Sequence, residues 1–599
     1  MSLSPKSKTN ADVVELLEKI AQLLELSGEN PFKVRAYLRA ARTVELLSEP
    51  IAKLVSEERL GEVDGIGKAI EEKISEFVIT GGLPYYETLR SQFPATLFEL
   101  FELQGLGAKK IHQLYKELAI VSLSDLQAAC TSGKIASLPG FGAKSVKNIE
   151  KAIAFHHQQS GLFRIDEVNE LANELLEDLR AHPDVGQCQS AGSFRRCKES
   201  IGDLDLLVSS NKPEPISEFF VKHPLVEEVL MHGPTKSSVR LKATQEGHAG
   251  LQCDLRVVKP EEFPFALVYF TGSKDHNIAL RSRALEQGWS LNEYRFTLQE
   301  QKKNSSVKFS SPPKIHDEAE LYASLGLDFI PPELREDRGE IPAALAKKLP
   351  ELLEWRHLKG TFHCHTKASD GQNTLLEMAN AAQDLGLEYL GIADHSKSSV
   401  QAHGLDEKRL GQQVLEIKKL NETFHGFRLF AGTECDILKD GSLDFSDEIL
   451  SSVDYVVASV HSSFTLDEAE MTKRIIRAME NPYVTMIGHL TGRILFSRPA
   501  YALNVPAIIE AAAETGTMIE LNANPKRLDM DWRWWPLAKE KGVLCVINPD
   551  AHTTAGIQNL IYGVGAARKG WLTKQDVINC LRTDEVKKVL ELKRLKFKA

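Results

Sequence analysis

Between residues 360 and 552, seven short apolar runs recur: GTFHCH, YLGIADH, FRLFAGTE, YVVASVH, VTMIGH, MIELNA and VLCVINPDAH, separated by stretches of helical character. Strand and helix alternating over this length predict a parallel α/β barrel-like fold. Six of the seven runs end in side chains that bind metals: His363 with His365, His395, Glu434, His461, His489, and Asp550 with His552; Asp370 follows the first run. A parallel barrel gathers the C-terminal ends of its strands at one face, so ligands far apart in sequence should converge there. A single strand-end histidine is commonly a satisfied core residue, but packing alone does not put ligands at six strand ends. Nine ligands exceed the roughly four to six that one ion takes, so two or three ions are expected. The mixed nitrogen and oxygen set suits Mn2+, Zn2+ or Fe2+ without choosing among them. Ions held this way turn bound water into hydroxide and clamp a phosphoryl group, which points to phosphoester hydrolysis. Asp394 has two readings, orienting a ligand or capping the next helix. His357, His403 and His425 lie off the strand ends and read as surface residues.

A second chemistry sits upstream in GSFRRCKESIGDLDLLV, residues 192–208. Its last half reads as a strand, so Asp203 and Asp205 share one face. Two neighbouring carboxylates repel each other and need a cation or an exposed edge. The upstream half adds Gly192, Ser193, Arg195 and Arg196, donors suited to triphosphate oxygens. A further strand is expected near 239–243, and LQCDLRVV from Leu251 interrupts an apolar run with Asp254. If that run pairs beside the first, three carboxylates surround two Mg2+ or Mn2+ ions, the arrangement of two-metal phosphoryl transfer.

Residues 1 to about 160 read as short helices broken by glycine. One pattern recurs there: VDGIGKAIEEKI from Val63, LQGLGAKKIHQL from Leu103 and LPGFGAKSVKNI from Leu138. Glycines at such turns (Gly65, Gly67; Gly105, Gly107; Gly140, Gly142) open an amphipathic helix whose N-terminus favours an anion, and threefold repetition makes DNA phosphate the expected one. Between Leu103 and Lys147 six lysines, Lys109, Lys110 and Lys144 among them, face only Glu117 and Asp125. This locally basic stretch is the candidate phosphate-contacting surface.

With 599 residues the chain should hold several domains. A net charge of −10 excludes bulk electrostatic attraction to nucleic acid, so any such binding must be local. Eight scattered cysteines without a C-x-x-C pair indicate neither a disulfide framework nor a zinc ribbon. No apolar run reaches membrane-spanning length, and MSLSPKSKTNADVV lacks the regions of a signal peptide, so a cytoplasmic, nucleoid-associated monomer is expected, with no membrane partner.

The combination GSFRRCKESIGDLD, CDLR and YFTGSKDHNIALR resembles the family X (polymerase beta-like) DNA polymerases over roughly the first 335 residues. The resemblance implies that Asp203 and Asp205 bind both metals, while Asp254 binds the catalytic one and accepts the primer hydroxyl proton. It assigns Gly192, Ser193, Arg196 and Gly202 to the triphosphate, and Tyr269, Phe270 and Gly272 to the sugar pocket. Asn277 and Arg281 would face the minor groove of the new base pair. Ile201 stands where several members have a second serine. Read alone, YFTGS is a strand ending in a turn. The glycine-containing repeats resemble helix-hairpin-helix motifs, which grip the DNA backbone without reading sequence. The resemblance also reaches Lys73, implying a Schiff-base nucleophile for abasic sugar phosphate. Glu71, Glu72 and Glu76 around it favour the protonated amine, which leaves an ordinary surface lysine as the other reading.

The last segment resembles the PHP domain, named for polymerase and histidinol phosphatase, through H-x-H, D-G, A-D-H, E, H, G-H and D-x-H. That implies a distorted (β/α)7 barrel. One ion would take His363, His365, Glu434 and Asp550; a second Glu434, His461 and His489; a third Asp370, His395 and His552, with Glu434 bridging. The expected division is a helical lyase-like domain at 1–83, helical fingers at 84–160, an α/β nucleotidyltransferase palm at 161–258, a thumb at 259–335, a linker at 336–355 and the barrel at 356–599. The expected function is gap-filling repair synthesis from dNTPs on gapped or nicked DNA, with removal of 3′ nucleotides, blocked ends or abasic sites by the barrel. A small-ester phosphatase with a DNA-binding tether is the alternative. A non-catalytic repair scaffold and an untemplated nucleotidyltransferase are two further readings; Asn277 and Arg281, placed to read a templated pair, argue against the last.

Overall fold

The computed structural model describes residues 8–598, apart from 46, 48, 64, 104, 105, 160, 244–249 and 299–309. The chain divides into two compact units, one holding residues 1–160 and the other nearly all of 161–599. Among its described residues the stretch 8–160 is built from α- and 3-10 helices only. Their apolar stripes meet in one core that includes Leu17, Ile20, Ile74, Leu100, Ile111 and Leu126. Each glycine-containing repeat leads into a helix, Lys68–Thr80, Ala108–Leu118 or Ala143–Gln159.

In the second unit a five-stranded sheet comes first. Its order is Cys188–Ser190, Asp203–Ser209, Gln252–Val258, Lys236–Leu241, Val226–His232, and the second and third strands run parallel. Period-two alternation gives this sheet its two functions. Leu204, Leu206, Val208, Cys253, Leu255 and Val257 pack under the helices Ile165–Ala181 and Pro213–Val221, which leaves Asp203, Asp205 and Asp254 on the opposite face. The YFT of YFTGS, which read alone suggests a strand ending in a turn, instead closes the helix Phe263–Thr271. Pro264 in its first turn presets the helix, and burial of every residue from Phe263 to Val268 hides the 3.6 period that would mark it. The linker carries the short helix Glu340–Leu345.

All seven apolar runs are strands of one parallel sheet, hydrogen-bonded in sequence order from Gly360–Cys364 to Cys545–Asn548. The sheet nearly closes: His365 donates its backbone N–H to the Ala551 carbonyl at 2.8 Å, and Thr361 Oγ1 to the Ile547 carbonyl at 2.8 Å. The interior is a layer with one side chain from each strand: Phe362, Tyr389, Phe430, Tyr455, Met486, Met518 and Val546. Aromatics of this size fit because glycines stand beside them. A Cβ on Gly391 would lie 2.4 Å from Phe362 Cδ1 and 2.6 Å from Tyr455 Oη, and one on Gly432 2.4 Å from the Tyr455 ring. Ile578, Val586 and Leu590 complete that layer at the strands' N-terminal ends, where Lys359 N–H bonds the Asn579 carbonyl at 2.7 Å. The ligand residues lie at the opposite end, where most are buried.

Overpacking a tight core costs about 1–3 kcal/mol, so Gly391→Ala should destabilise the barrel by about 2 kcal/mol in denaturant unfolding. Gly411→Ala, on the exposed face of the helix Glu407–Asn421 with nothing within 4 Å of its new Cβ, should instead stabilise by up to about 1 kcal/mol.

Candidate active sites

Asp205 and Asp254 are direct partners in the parallel register, and Asp203 precedes on the same face. Gln252 Nε2 donates to Asp254 Oδ1 at 3.0 Å, and Lys236 Nζ lies 3.7 Å from Asp254 Oδ2. Burial, then the charges of Asp203 and Asp254, push the Asp205 carboxyl up to about 7, against the pull of Arg256 and Arg196. Burial and Asp254 raise Asp203 as well. A trio in this condition fits divalent cations, which would offset its mutual repulsion.

Gly192 seals the trio from behind. Its φ is +60°, and a Cβ there would stand 2.2 Å from Asp205 Oδ2, so only glycine serves. Ser193 is half-buried in the turn after it. Arg195 is fully committed to Glu318 (2.7 and 2.9 Å) and Thr271 Oγ1 (2.7 Å). Arg196 is held through Nε by Glu336 at 3.0 Å and through Nη1 by the Thr271 carbonyl at 2.5 Å. Gly272 turns the chain at φ +66°, and a Cβ there would sit 3.3 Å from Arg196 Nη1. Asn277 Nδ2 donates to the Tyr269 carbonyl at 2.7 Å, tying the next helix to the Tyr269 and Phe270 pair, whose rings lie 5.1 Å apart. Arg281 is exposed and donates to the Asn277 carbonyl; Gly202 is exposed just before the first carboxylate.

At the C-terminal end of the barrel the strand-end ligands converge. Four overlapping groups each offer ligand atoms within 4.8 Å of one another: His365, Asp370, His395 and His552; His363, Glu434 and His489; His363, His365 and Asp550; and His395, Glu434 and His461. Glu434, 1% exposed, is the hub. Its Oε1 lies 3.2, 3.2 and 2.9 Å from Nε2 of His363, His461 and His489, and its Oε2 lies 2.8 Å from His395 Nδ1. Glu434 belongs to two of the groups; His363, His365 and Asp550 group together, while His365 also sits with Asp370, His395 and His552, and His363 with His489. Imidazole nitrogens crowd both Glu434 oxygens at 2.8 to 3.2 Å, and such crowding of donor atoms fits divalent ions. His363, His489 and Asp550 hold φ of +54°, +22° and +50°, strain of the kind that collects at functional sites.

Behind the ligands stand groups that strand-end reasoning missed. Glu520, fully buried, meets His363 Nδ1 at 2.5 Å and accepts the His489 backbone N–H at 2.9 Å. Asp436 meets His461 Nδ1 at 2.5 Å. Such partners fix which ring nitrogen faces the ion. Burial works against a charged His461, yet Glu434 and Asp436 push it up to about 9. Arg527 Nε lies 3.4 Å from Asp550 Oδ2. Two signals were there to read: MIELNA carries an acid inside an apolar strand, and Asp436 follows Glu434 by the two residues that keep it on the same face. Asp394 is fully buried. It accepts from Thr366 N, Thr366 Oγ1 and Ser369 Oγ, bracing the loop after His365.

In the helical unit, Gly67 and Gly107 are the N-caps of their helices and Gly142 precedes the third; a Cβ on any of them would meet nothing within 4 Å. Gly65 and Gly140 take φ of +94° and +85°. Gly105 and the Lys144 side chain lie outside the described residues. Lys109 is exposed and Lys110 half-buried. A groove of about 820 Å³ runs past Gly65 and Gly67 and is lined by Arg35 and Arg39. Lys73 Nζ donates to the Ala69 carbonyl at 2.9 Å and lies 4.8 Å above the Tyr85 ring.

A sheet carrying three facing carboxylates and a barrel with a histidine-rich metal centre define a nucleotidyltransferase joined to a metallohydrolase. Comparison with known proteins agrees segment by segment. Residues 8–83 match a helix-hairpin-helix domain, 97–154 a SAM-like helix-hairpin-helix tandem, 266–336 a DNA polymerase beta thumb and 361–524 a PHP domain. The chain is 38% identical over 580 residues to the DNA polymerase/3'-5' exonuclease PolX of Bacillus subtilis (strain 168), covering 97% of this chain and 99% of that one. It is 25% identical over 348 residues to DNA polymerase lambda of Rattus norvegicus, covering 55% of this chain and 56% of that one. A probable phosphatase of Thermoanaerobacter sp. (strain X514) is 29% identical over 248 residues, 39% of this chain and 95% of that one. The chain belongs to the family X DNA polymerases that carry a PHP domain.

The raised Asp205 carboxyl sets a pH dependence. With a folded value about 7 and an ordinary one of 3.8, its ionisation removes stability between those values and keeps it removed above them. In chelator-treated protein, Asp205→Asn should therefore raise stability at pH 8 by about 4 kcal/mol. The gain should shrink as pH falls from 7 towards 4; a difference independent of pH in thermal unfolding would contradict it.

Proposed function

We propose that the chain fills short DNA gaps by templated nucleotidyl transfer at Asp203, Asp205 and Asp254, and trims or cleans 3′ ends by phosphoester hydrolysis at the histidine-rich centre of its barrel. One observation carries this reading: Asp205 and Asp254 face each other in the strand register behind a glycine that admits no side chain, while in the barrel His, Asp and Glu side chains gather in groups that could hold metal ions. The 38% identity along nearly its whole length to a relative named as both polymerase and exonuclease supports it.

In this reading Asp203 and Asp205 hold both cations, Mg2+ or Mn2+, and Asp254 takes the proton of the primer hydroxyl. Gly192, Ser193, Arg196 and Gly202 receive the triphosphate of the dNTP. Tyr269, Phe270 and Gly272 shape the sugar pocket, and Asn277 with Arg281 reads the minor-groove edge of the new pair. His363, His365, Asp370, His395, Glu434, His461, His489, Asp550 and His552 hold two or three ions, Mn2+, Zn2+ or Fe2+. Those ions supply a hydroxide at neutral pH and charge to steady the phosphoryl group; Glu520 and Asp436 keep the imidazoles turned toward them. Gly65, Gly67, Gly105, Gly107, Gly140, Gly142, Lys109, Lys110 and Lys144 hold the DNA backbone, with Lys73 a candidate abasic-site nucleophile. The six-part division given above stands as the domain plan, and the working form is a cytoplasmic monomer on nucleoid DNA.

A 5′-labelled primer on a one-nucleotide-gapped duplex with Mn2+ tests the pair of activities. Asp205→Ala should lower extension roughly a hundredfold or more and spare shortening, and His365→Ala should do the reverse. Intact protein that neither extends nor shortens the primer, yet hydrolyses a free phosphate ester, would sink the reading.

A further inference from the structure

The barrel's helix Leu560–Lys569 lies against the polymerase half so closely that a Cβ on Gly565 would sit 3.2 Å from Cys197 Sγ. Its last residue, Lys569, is 1% exposed. The ammonium donates to Glu336 Oε1 at 2.6 Å, to the Arg196 carbonyl at 3.1 Å and to the Glu333 carbonyl at 3.4 Å, and lies 4.6 Å above the Trp532 ring. The same Glu336 oxygen accepts Arg196 Nε at 3.0 Å. One carboxylate oxygen is thus shared by a lysine of the barrel and the arginine assigned to the triphosphate.

Charge decides what that sharing does. Glu336 facing Arg196 alone would cancel its charge, and an incoming triphosphate would have to compete with a partly buried carboxylate for the guanidinium. With Lys569 in the cluster, two cations face one anion, and one positive charge stays available for phosphate. Lys198 approaches the other Glu336 oxygen at 3.8 Å, but its side chain is 32% exposed, and water screens it. Arg196 also keeps its aim, since Thr271 and Glu336 fix two sides of the guanidinium fork.

We propose that Lys569, a residue of the hydrolase barrel, is a positioning residue of the nucleotidyl-transfer site: it neutralises Glu336 and so leaves Arg196 charged and oriented for the nucleotide triphosphate. This rests on the reading of Arg196 as a triphosphate ligand. The barrel is then a structural part of the polymerase, and its bond to the front half is felt in nucleotide affinity.

The test is single-nucleotide gap filling by the full chain, with KM for the dNTP and kcat measured separately. Lys569→Met should raise that KM about tenfold with kcat within about twofold, leaving gapped-DNA affinity and primer shortening without dNTP unchanged. The double variant Glu336→Gln/Lys569→Met keeps the cluster's single net positive charge, now on Arg196 alone, and the amide oxygen introduced at position 336 still accepts from Arg196. Its KM should return to within about threefold of the parent protein, and this holds as a test even where the single variant fails to fold. A Lys569→Met protein with the parent KM, or a double variant whose KM stays raised about tenfold, overturns the proposal. Arg196→Ala separates the two levels: an unchanged KM there refutes the triphosphate reading itself, while a raised one beside an unchanged Lys569→Met refutes the role of Lys569 alone.

Discussion

Charge taken out of water must find a partner, and much of the second unit is arranged around that constraint. Glu434 is 1% exposed with imidazoles on both of its oxygens, and Asp205 stands beside two more carboxylates. At the sheet, burial and like charges both work against ionised Asp205, whereas at the barrel the imidazoles around Glu434 hold its carboxyl low against burial. Divalent ions resolve both: at the sheet they offset like charges, and at the barrel they give the crowded donor atoms a common centre. Metal dependence is therefore built into the packing as well as the chemistry.

Parallel strand register turns that constraint into two sites. In the five-stranded sheet, alternation sends leucine and valine to the helices and aspartate to the open face, and the parallel pairing sets Asp205 opposite Asp254. In the barrel, seven parallel strands fill their interior with one bulky side chain each and deliver their last residues to one rim. Glycines make both possible. Gly192 lets the chain pass behind Asp205, and Gly391 and Gly432 give the interior aromatics their room. A seam of buried ion pairs, Lys569 with Glu336 and Arg568 with Glu333, joins the two catalytic halves.

The sequence was most legible where burial is two-sided. Strands covered on both faces read as continuous apolar runs, so all seven barrel strands could be placed and their terminal ligands named. At YFTGS, which alone reads as a strand ending in a turn, the helix Phe263–Thr271 is buried from Phe263 to Val268, which hides its period. Val226–His232 escaped because six of its seven residues are exposed and no alternation marks it. Glu520 and Asp436 left a trace in their strands but not the identity of their partners, and Lys569 left none. Each acts through a partner from another strand or another domain, and one chain read alone does not show which distant residues meet. Asp394, two-sided in sequence, accepts from Thr366, Ser369 and Gln413, residues that flank His365 and Asp370 or face them from a helix.

The most direct check on this account is the metal content of the folded chain, measured by inductively coupled plasma mass spectrometry after exhaustive dialysis against metal-free buffer. The account predicts about two to three tightly held divalent ions per chain, with at least one lost from Glu434→Gln while circular dichroism shows the barrel still folded. A chain that keeps no ion yet hydrolyses phosphoesters in the presence of chelator, or a Glu434→Gln protein with the full complement, would contradict it.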